Sequence, residues 1–125
     1  MKGLKINAAD KWFSYYIRLK QKECQRCGSQ VEFNDKGYPK SHTASHFYGR
    51  ARENTRFEVD NVDVLDMACH RIWGSDDREA YRAFKIKQLG QKRFDSLMLQ
   101  ANTYMRKDRK LQAIIWKEAV EELLK

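Results

Sequence analysis

The sequence predicts an α+β fold: a small unit of two strands and one helix, with a helix before it and two to three helices after it. Three observations carry this. Apolar residues recur at helical spacing near both ends of the chain, two short strand-like stretches lie in the middle, and Gly, Asn and Asp residues punctuate the joins. A chain of 125 residues suits one domain with a modest core.

Residues 7–23 read as the first helix, with Asp10 as its N-cap and Trp12, Phe13, Tyr16, Ile17 and Leu19 near helical spacing. A basic stretch from Arg18 to Lys22 ends it. Cys24 and Cys27 follow, with Gly28 directly after, which is the pattern of a tight turn that aims two thiolates at one ion. Residues 34–39 are rich in turn formers. Residues 41–47 predict a strand ending at His46, and residues 48–60 a polar, basic loop. Val62, Val64 and Leu65 predict a second short strand with Asn61 just ahead of it, and residues 67–73 begin a helix. From Asp76 onward everything is helical. Asp76 or Asp77 caps a helix carrying Tyr81, Phe84 and Leu89, which Gly90 breaks. Phe94, Leu97, Met98 and Ala101 then mark an amphipathic helix. Asp108 caps a last helix bearing Leu111, Ile114, Ile115, Ala119, Leu123 and Leu124, whose apolar residues predict packing on the first helix or a homodimer contact. The chain thus divides into an N-terminal helix (1–23), a central core (24–75) and a helical extension (76–125).

The net charge is +8, and from residue 78 onward 12 basic residues face 6 acidic ones. Such an excess favours anionic partners, nucleic acid first. No apolar run reaches the ~20 residues that span a bilayer. Without an apolar leader segment the expected location is cytoplasmic. Three cysteines, an odd number in a chain expected to stay inside the cell, argue for metal binding over disulfides.

The Cys24–Cys27 turn needs a second pair of ligands. Cys69 lies downstream, and the residue three before it is Asp66, whose carboxylate can also bind zinc. Cys24, Cys27, Asp66 and Cys69 are therefore the expected structural zinc ligands. His46, Asn61 and His70 follow one another over strand, loop, strand and helix, an order that fits a nuclease working with one metal ion. Hydrolysis of a phosphodiester needs a general base to take a proton from the attacking water. It also needs a cation to neutralise charge on the leaving oxygen. One imidazole is the expected base and His70 the expected ligand of the cation, Mg²⁺ or Mn²⁺ in an oxygen-rich open site and Zn²⁺ or Ni²⁺ with more imidazole, while Asn61 orients the base or helps bind the metal. His42, on the same strand face as His46 but about 13 Å away by strand rise, is expected to be structural or DNA-facing.

The segments ASHFYGR (44–50), NTRF (54–57), DNVDVL (60–65) and ACH (68–70) resemble phage-encoded HNH endonucleases, and in particular the NinG (Rap) recombination nuclease family of lambdoid phages. The resemblance extends over YRAFKIKQLG (81–90) and ANT (101–103). It implies a ββα-metal (HNH) core, a divalent cation, a structural zinc and cleavage of DNA, with branched recombination intermediates as a candidate substrate class. By this resemblance His46 matches the general base, Asn61 the middle Asn and His70 the last His. Two positions depart from the family pattern. Asp66 stands where a cysteine is usual, and Ser45 stands where many HNH enzymes place a metal ligand before the base, which leaves water and substrate phosphate to complete the metal's shell.

Arg50, Arg52 and Arg56 cluster in the loop between the two histidines, where guanidinium groups can clamp phosphates. Lys85, Lys87, Lys92 and Arg93 surround Gly90 and extend the expected DNA-binding set. The alternatives are a zinc-stabilised DNA-binding module without catalysis, and a protein that acts on RNA.

Overall fold

The computed structural model describes residues 7–125. Five helices and one two-stranded antiparallel sheet make up its regular structure, an α+β arrangement. Helix α1 spans Ala8–Gln21, and its N-cap is Asn7 rather than Asp10. The Asn7 side chain accepts from the Asp10 N–H (3.0 Å), while the Asp10 carboxylate accepts from the Asn7 N–H (3.1 Å). This is a reciprocal capping box, with the acidic residue three positions inside the helix. Lys22 ends α1 in the left-handed region (φ 64°).

Strands β1 (Thr43–His46) and β2 (Val62–Leu65) pair with Ser45 opposite Asp63 and His46 opposite Val62. Helix α2 (Met67–Arg71) starts at Asp66, whose side chain caps the Cys69 N–H (2.8 Å), and runs on into a π-turn over Ile72–Asp76. Helix α3 (Arg78–Leu89) is capped by Asp77. Gly90, at φ 82°, breaks it from α4 (Gln91–Ala101), and Asp108 caps α5 (Arg109–Leu123). Each of these stops falls where the sequence places a cap or a glycine, because caps act within three or four residues of the chain.

The sheet has a core on each face, since successive strand side chains point opposite ways. On one face Val62 and Val64 join Ala9, Phe13, Ile17, Val31 and Phe57, with Ala44 and Trp116 packed at the edge. The Trp116 ring lies 4.7 Å from Phe13 and 4.9 Å from Tyr16, centroid to centroid, which docks α5 onto α1. Leu111, Ile114, Ile115 and Leu123 stay exposed on the outer side of α5. On the other face Leu65 joins Cys24, Phe47, Cys69, Trp73, Tyr81 and Phe94 under α3 and α4. Of the expected N-terminal unit (1–23), residues 1–6 lie outside the described residues; residues 7–23, 24–75 and 76–125 share two cores, and α1 and α5 wall the central unit. Among the described residues no helix is long and apolar enough to cross a membrane.

The second core contains a buried ion pair. Lys85 Nζ lies 3.0 Å from Asp63 Oδ2, and neither side chain is exposed. Tyr81 and Gln88 also donate to the Asp63 carboxylate, at 3.0 Å each. Burial lowers the Lys85 pKa, and the Asp63 charge opposes that effect. Lys85 is thus an internal clamp between α3 and β2, and the expectation that it contacts DNA is corrected.

Candidate functional site

Two clusters of chemically competent side chains meet at α2. The first is the cysteine turn. The left-handed conformation of Gly28 (φ 79°), which a residue with Cβ adopts only under strain, lets its N–H return to the Cys24 carbonyl (2.9 Å). The Cys24 and Cys27 sulfurs then face Asp66 and Cys69 at the start of α2. One ligand atom from each of the four residues lies within 4.8 Å of the others. Zinc binds thiolates at about 2.3 Å and carboxylates at about 2.0 Å, so tetrahedral ligand atoms sit roughly 3.5–4 Å apart. A small contraction suffices, and the group can hold a metal ion such as zinc.

Local hydrogen bonds preset the charges. The Cys27 thiol (2.9 Å) and the Cys69 N–H hold the Asp66 carboxyl well below the usual carboxylate range. Burial pushes the Cys69 thiol up to about 12. The Arg26 guanidinium donates to the Cys69 sulfur at 3.4 Å, which places a positive charge where a three-thiolate, one-carboxylate set would carry excess negative charge. Ser29 links Asp66 to His42: its hydroxyl lies 3.0 Å from Asp66 Oδ2 and 2.9 Å from His42 Nε2. His42 has φ 67° and precedes β1, so it does not share a strand face with His46. It belongs to the border of the metal cluster, a place that spacing along an assumed strand did not reveal.

The second cluster is a cleft at the end of β1. His46 points to the α1 face of the sheet, where its ring lies 6.3 Å from that of Phe13. Its Nε2 is 2.8 Å from the Arg56 carbonyl oxygen. A carbonyl only accepts, so Nε2 carries the proton and the neutral ring keeps its lone pair on Nδ1. Burial drives the His46 pKa down to about 4, against the Arg56 carbonyl, with a further push from the Arg50 charge. The imidazole is therefore neutral at physiological pH.

His70 approaches from α2. Its Nδ1 lies 3.0 Å from the Ser45 hydroxyl, and burial lowers its pKa. Its Nε2 has no hydrogen-bond partner among the described residues. Both histidines line two adjoining cavities. One, of about 440 Å³, also takes in Lys11, Ser14, Arg18 and Arg50. The other, of about 510 Å³, takes in Arg71 and Arg78. The histidines thus stand between two basic hollows.

The remaining predicted residues fall differently. Asn61 is fully buried: its amide donates to the carbonyls of Tyr48 (2.9 Å) and Thr55 (3.1 Å), and its oxygen accepts the Tyr48 N–H (2.9 Å). It is committed to the loop and has no donor atom to offer a metal, which corrects that expectation. It acts on His46 at one remove, because it fixes Thr55, next to the Arg56 carbonyl that holds the imidazole. Arg56 is 1% exposed and pairs through two bonds with Asp10 on α1, at 2.9 and 2.6 Å. It does not face DNA either. Burial works to raise the Asp10 pKa, but Arg56 and the Asn7 N–H hold it below the ordinary value. Arg52 stays at the surface but is tied to the end of α4, through Ala101 and Asn102. Exposed Arg93 is ion-paired to half-buried Asp60 at 2.6 Å, and Lys87 and Lys92 are exposed on α3 and α4. Sequence reasoning missed Asp10 as the partner of Arg56 and Ser45 as the partner of His70. The only signals were Asp10 beside a helix start and a small polar residue next to His46.

No family model, curated protein or solved structure matches the chain. The site therefore stands on its own geometry.

Proposed function

We propose that this protein is a metal-dependent DNA endonuclease of the ββα-metal type. The observation that carries the reading is the His46 imidazole: neutral, its Nε2–H fixed on the Arg56 carbonyl and its Nδ1 lone pair unused, in a basic cleft that His70 also lines. In this reading a DNA strand lies across the cleft and Arg50 contacts its phosphate. His46 Nδ1 removes the proton from the attacking water, and the Arg56 carbonyl stabilises the imidazolium that results. Asn61 and the Asp10–Arg56 pair hold that carbonyl in place.

In this reading His46 Nδ1 is kept for the base, and His70 Nε2, which has no hydrogen-bond partner among the described residues, holds a divalent cation, with Ser45 orienting the ring. A site with a single imidazole suits an ion such as Mg²⁺ or Mn²⁺ that keeps much of its water shell and takes substrate oxygen as ligand. When bound, such an ion supplies positive charge to the scissile phosphate and the leaving oxygen. Zinc at Cys24, Cys27, Asp66 and Cys69 has a structural role in this reading, fixing the start of α2 and so the backbone of His70. Branched DNA is the substrate class proposed for test, in a bacterial cytoplasm during phage growth.

One observation favours a second reading, a zinc-stabilised DNA-binding module without catalysis: Ser45 brings no ligand atom of its own to the cation. A nicking assay on linear, supercoiled and branched DNA across several metals separates the two. His46→Ala should lower the rate by about 10²–10⁴ while DNA binding persists. Equal cutting by the variant removes His46 from the role, and a wild-type protein that binds DNA but never nicks it supports the module.

A further inference from the structure

We propose that α1 is a phosphate-binding wall of the cleft, in which Lys11 and Arg18 hold backbone phosphates that flank the bond to be cut. The reading of the cut bond rests on the nuclease proposal above; the anion binding does not. Lys11, Ser14 and Arg18 line the 440 Å³ cavity on one side, and His46, Arg50 and His70 on the other. The one carboxylate in that lining, Asp10, is already committed to Arg56 through two short bonds. Three cations therefore remain in the hollow without a balancing acid, and a concave surface of one charge concentrates counter-ions.

Some cations elsewhere on the surface are already neutralised. Arg93 and Arg109 find carboxylates at Asp60 and Glu53, at 2.6 and 2.8 Å. Lys11 Nζ lies over the Trp12 ring, 4.6 Å from its centroid, and among the described residues neither Lys11 nor Arg50 forms an ion pair. Arg18 is half-buried and already positioned. Its Nε donates to the Ser14 carbonyl (3.3 Å) and its Nη1 to the Ser41 carbonyl (3.1 Å), which leaves Nη2 without a hydrogen-bond partner among the described residues. A guanidinium fixed in this way loses little conformational freedom when it meets a phosphate. Positions 11, 14 and 18 share one helix face, and seven residues cover about 10 Å of axis. That exceeds the ~3.4 Å rise of one nucleotide, so the stripe reaches past a single phosphate. Phe13, against the His46 ring, fixes the wall relative to the proposed base.

The test measures binding of a short DNA duplex over a range of salt, with the full-length protein and its Lys11→Gln, Arg18→Gln and double variants. Each removed phosphate contact should lower the slope of log affinity against log salt by about 0.9, and the double variant by about twice that. A second measurement replaces single phosphates with uncharged methylphosphonates along each strand. The wild type should lose affinity several-fold at positions beside the cut, and the double variant should lose none there. Variants with the wild-type slope, or with the same methylphosphonate sensitivity, overturn the wall. Thermal melts show whether Arg18→Gln, which also loses its bond to Ser41, still folds; exposed Lys11 carries the test if it does not. A protein that shows the slope change but never cuts retains the wall and refutes the nuclease, while cutting with an unchanged slope does the reverse.

Discussion

Protonation of His46 should destabilise the fold, by an amount set by how far its environment shifts the ring. An imidazole in an unfolded chain titrates near 6.5, whereas in the folded protein burial moves His46 to about 4. At neutral pH both states hold a neutral ring, so the shift contributes nothing. As pH falls below about 6.5 the unfolded chain takes up a proton that the folded one refuses, and stability drops until the folded ring also titrates near 4. The difference of 2.5 pKa units corresponds to about 3 kcal/mol, of which some 2–3 kcal/mol should be lost by a pH of about 4.5. The matching variant is His46→Gln, whose amide can still donate to the Arg56 carbonyl but does not titrate. Urea melts of both proteins at neutral and acid pH isolate the term, since carboxylate titrations are common to the two. The loss on acidification should be larger in the wild type by that amount. Nicking by the wild type should persist well below pH 6 and fall tenfold per pH unit only under about 4. A folded-state His46 that titrates near 6.5 by NMR, or equal acid sensitivity of the two proteins, refutes the reasoning.

Asn61→Ala removes the three hydrogen bonds of a buried amide and leaves the Tyr48 N–H unpaired, so stability should fall by about 3 kcal/mol in calorimetry; an unchanged melting temperature with nicking lost would return Asn61 to direct chemistry. Lys85→Met should cost roughly 3–5 kcal/mol because it strands the buried Asp63 carboxylate, whereas Lys85→Met combined with Asp63→Leu should recover most of that loss. A double variant no better than the single one in urea melts would show that the pair is not the source of the cost. Chelation should lower the melting temperature of the wild type, and Asp66→Cys should bind zinc more tightly in a competition with a chromophoric chelator, because thiolate is the softer ligand. Zinc content of zero in both proteins would remove the metal from this cluster.

What the sequence determined by itself is local. The ends of α3, α4 and α5 follow from Asp77, Gly90 and Asp108, because a cap hydrogen bond or a positive φ is decided within a few residues. The Cys24, Cys27, Asp66 and Cys69 set was legible for the same reason, since its spacing within a turn and within the first turn of a helix is local geometry. His46 at a strand end and His70 on the following helix were legible from order along the chain. Tertiary structure decided where each charge and amide goes. Arg56 meets an acid 46 positions away and Lys85 one 22 positions away, so two cations that count as DNA-facing by composition lie inside the protein. Asn61 spends its amide on Tyr48 and Thr55, and His42 leaves the strand for Ser29. Helix α1, read as a flank, becomes a wall of the cleft because its apolar face has the sheet and α5 to cover it. A side chain's type fixes which interactions it can make, but burial depends on neighbours that only the folded chain brings near, and burial decides between a solvated charge, an internal clamp and a neutral imidazole.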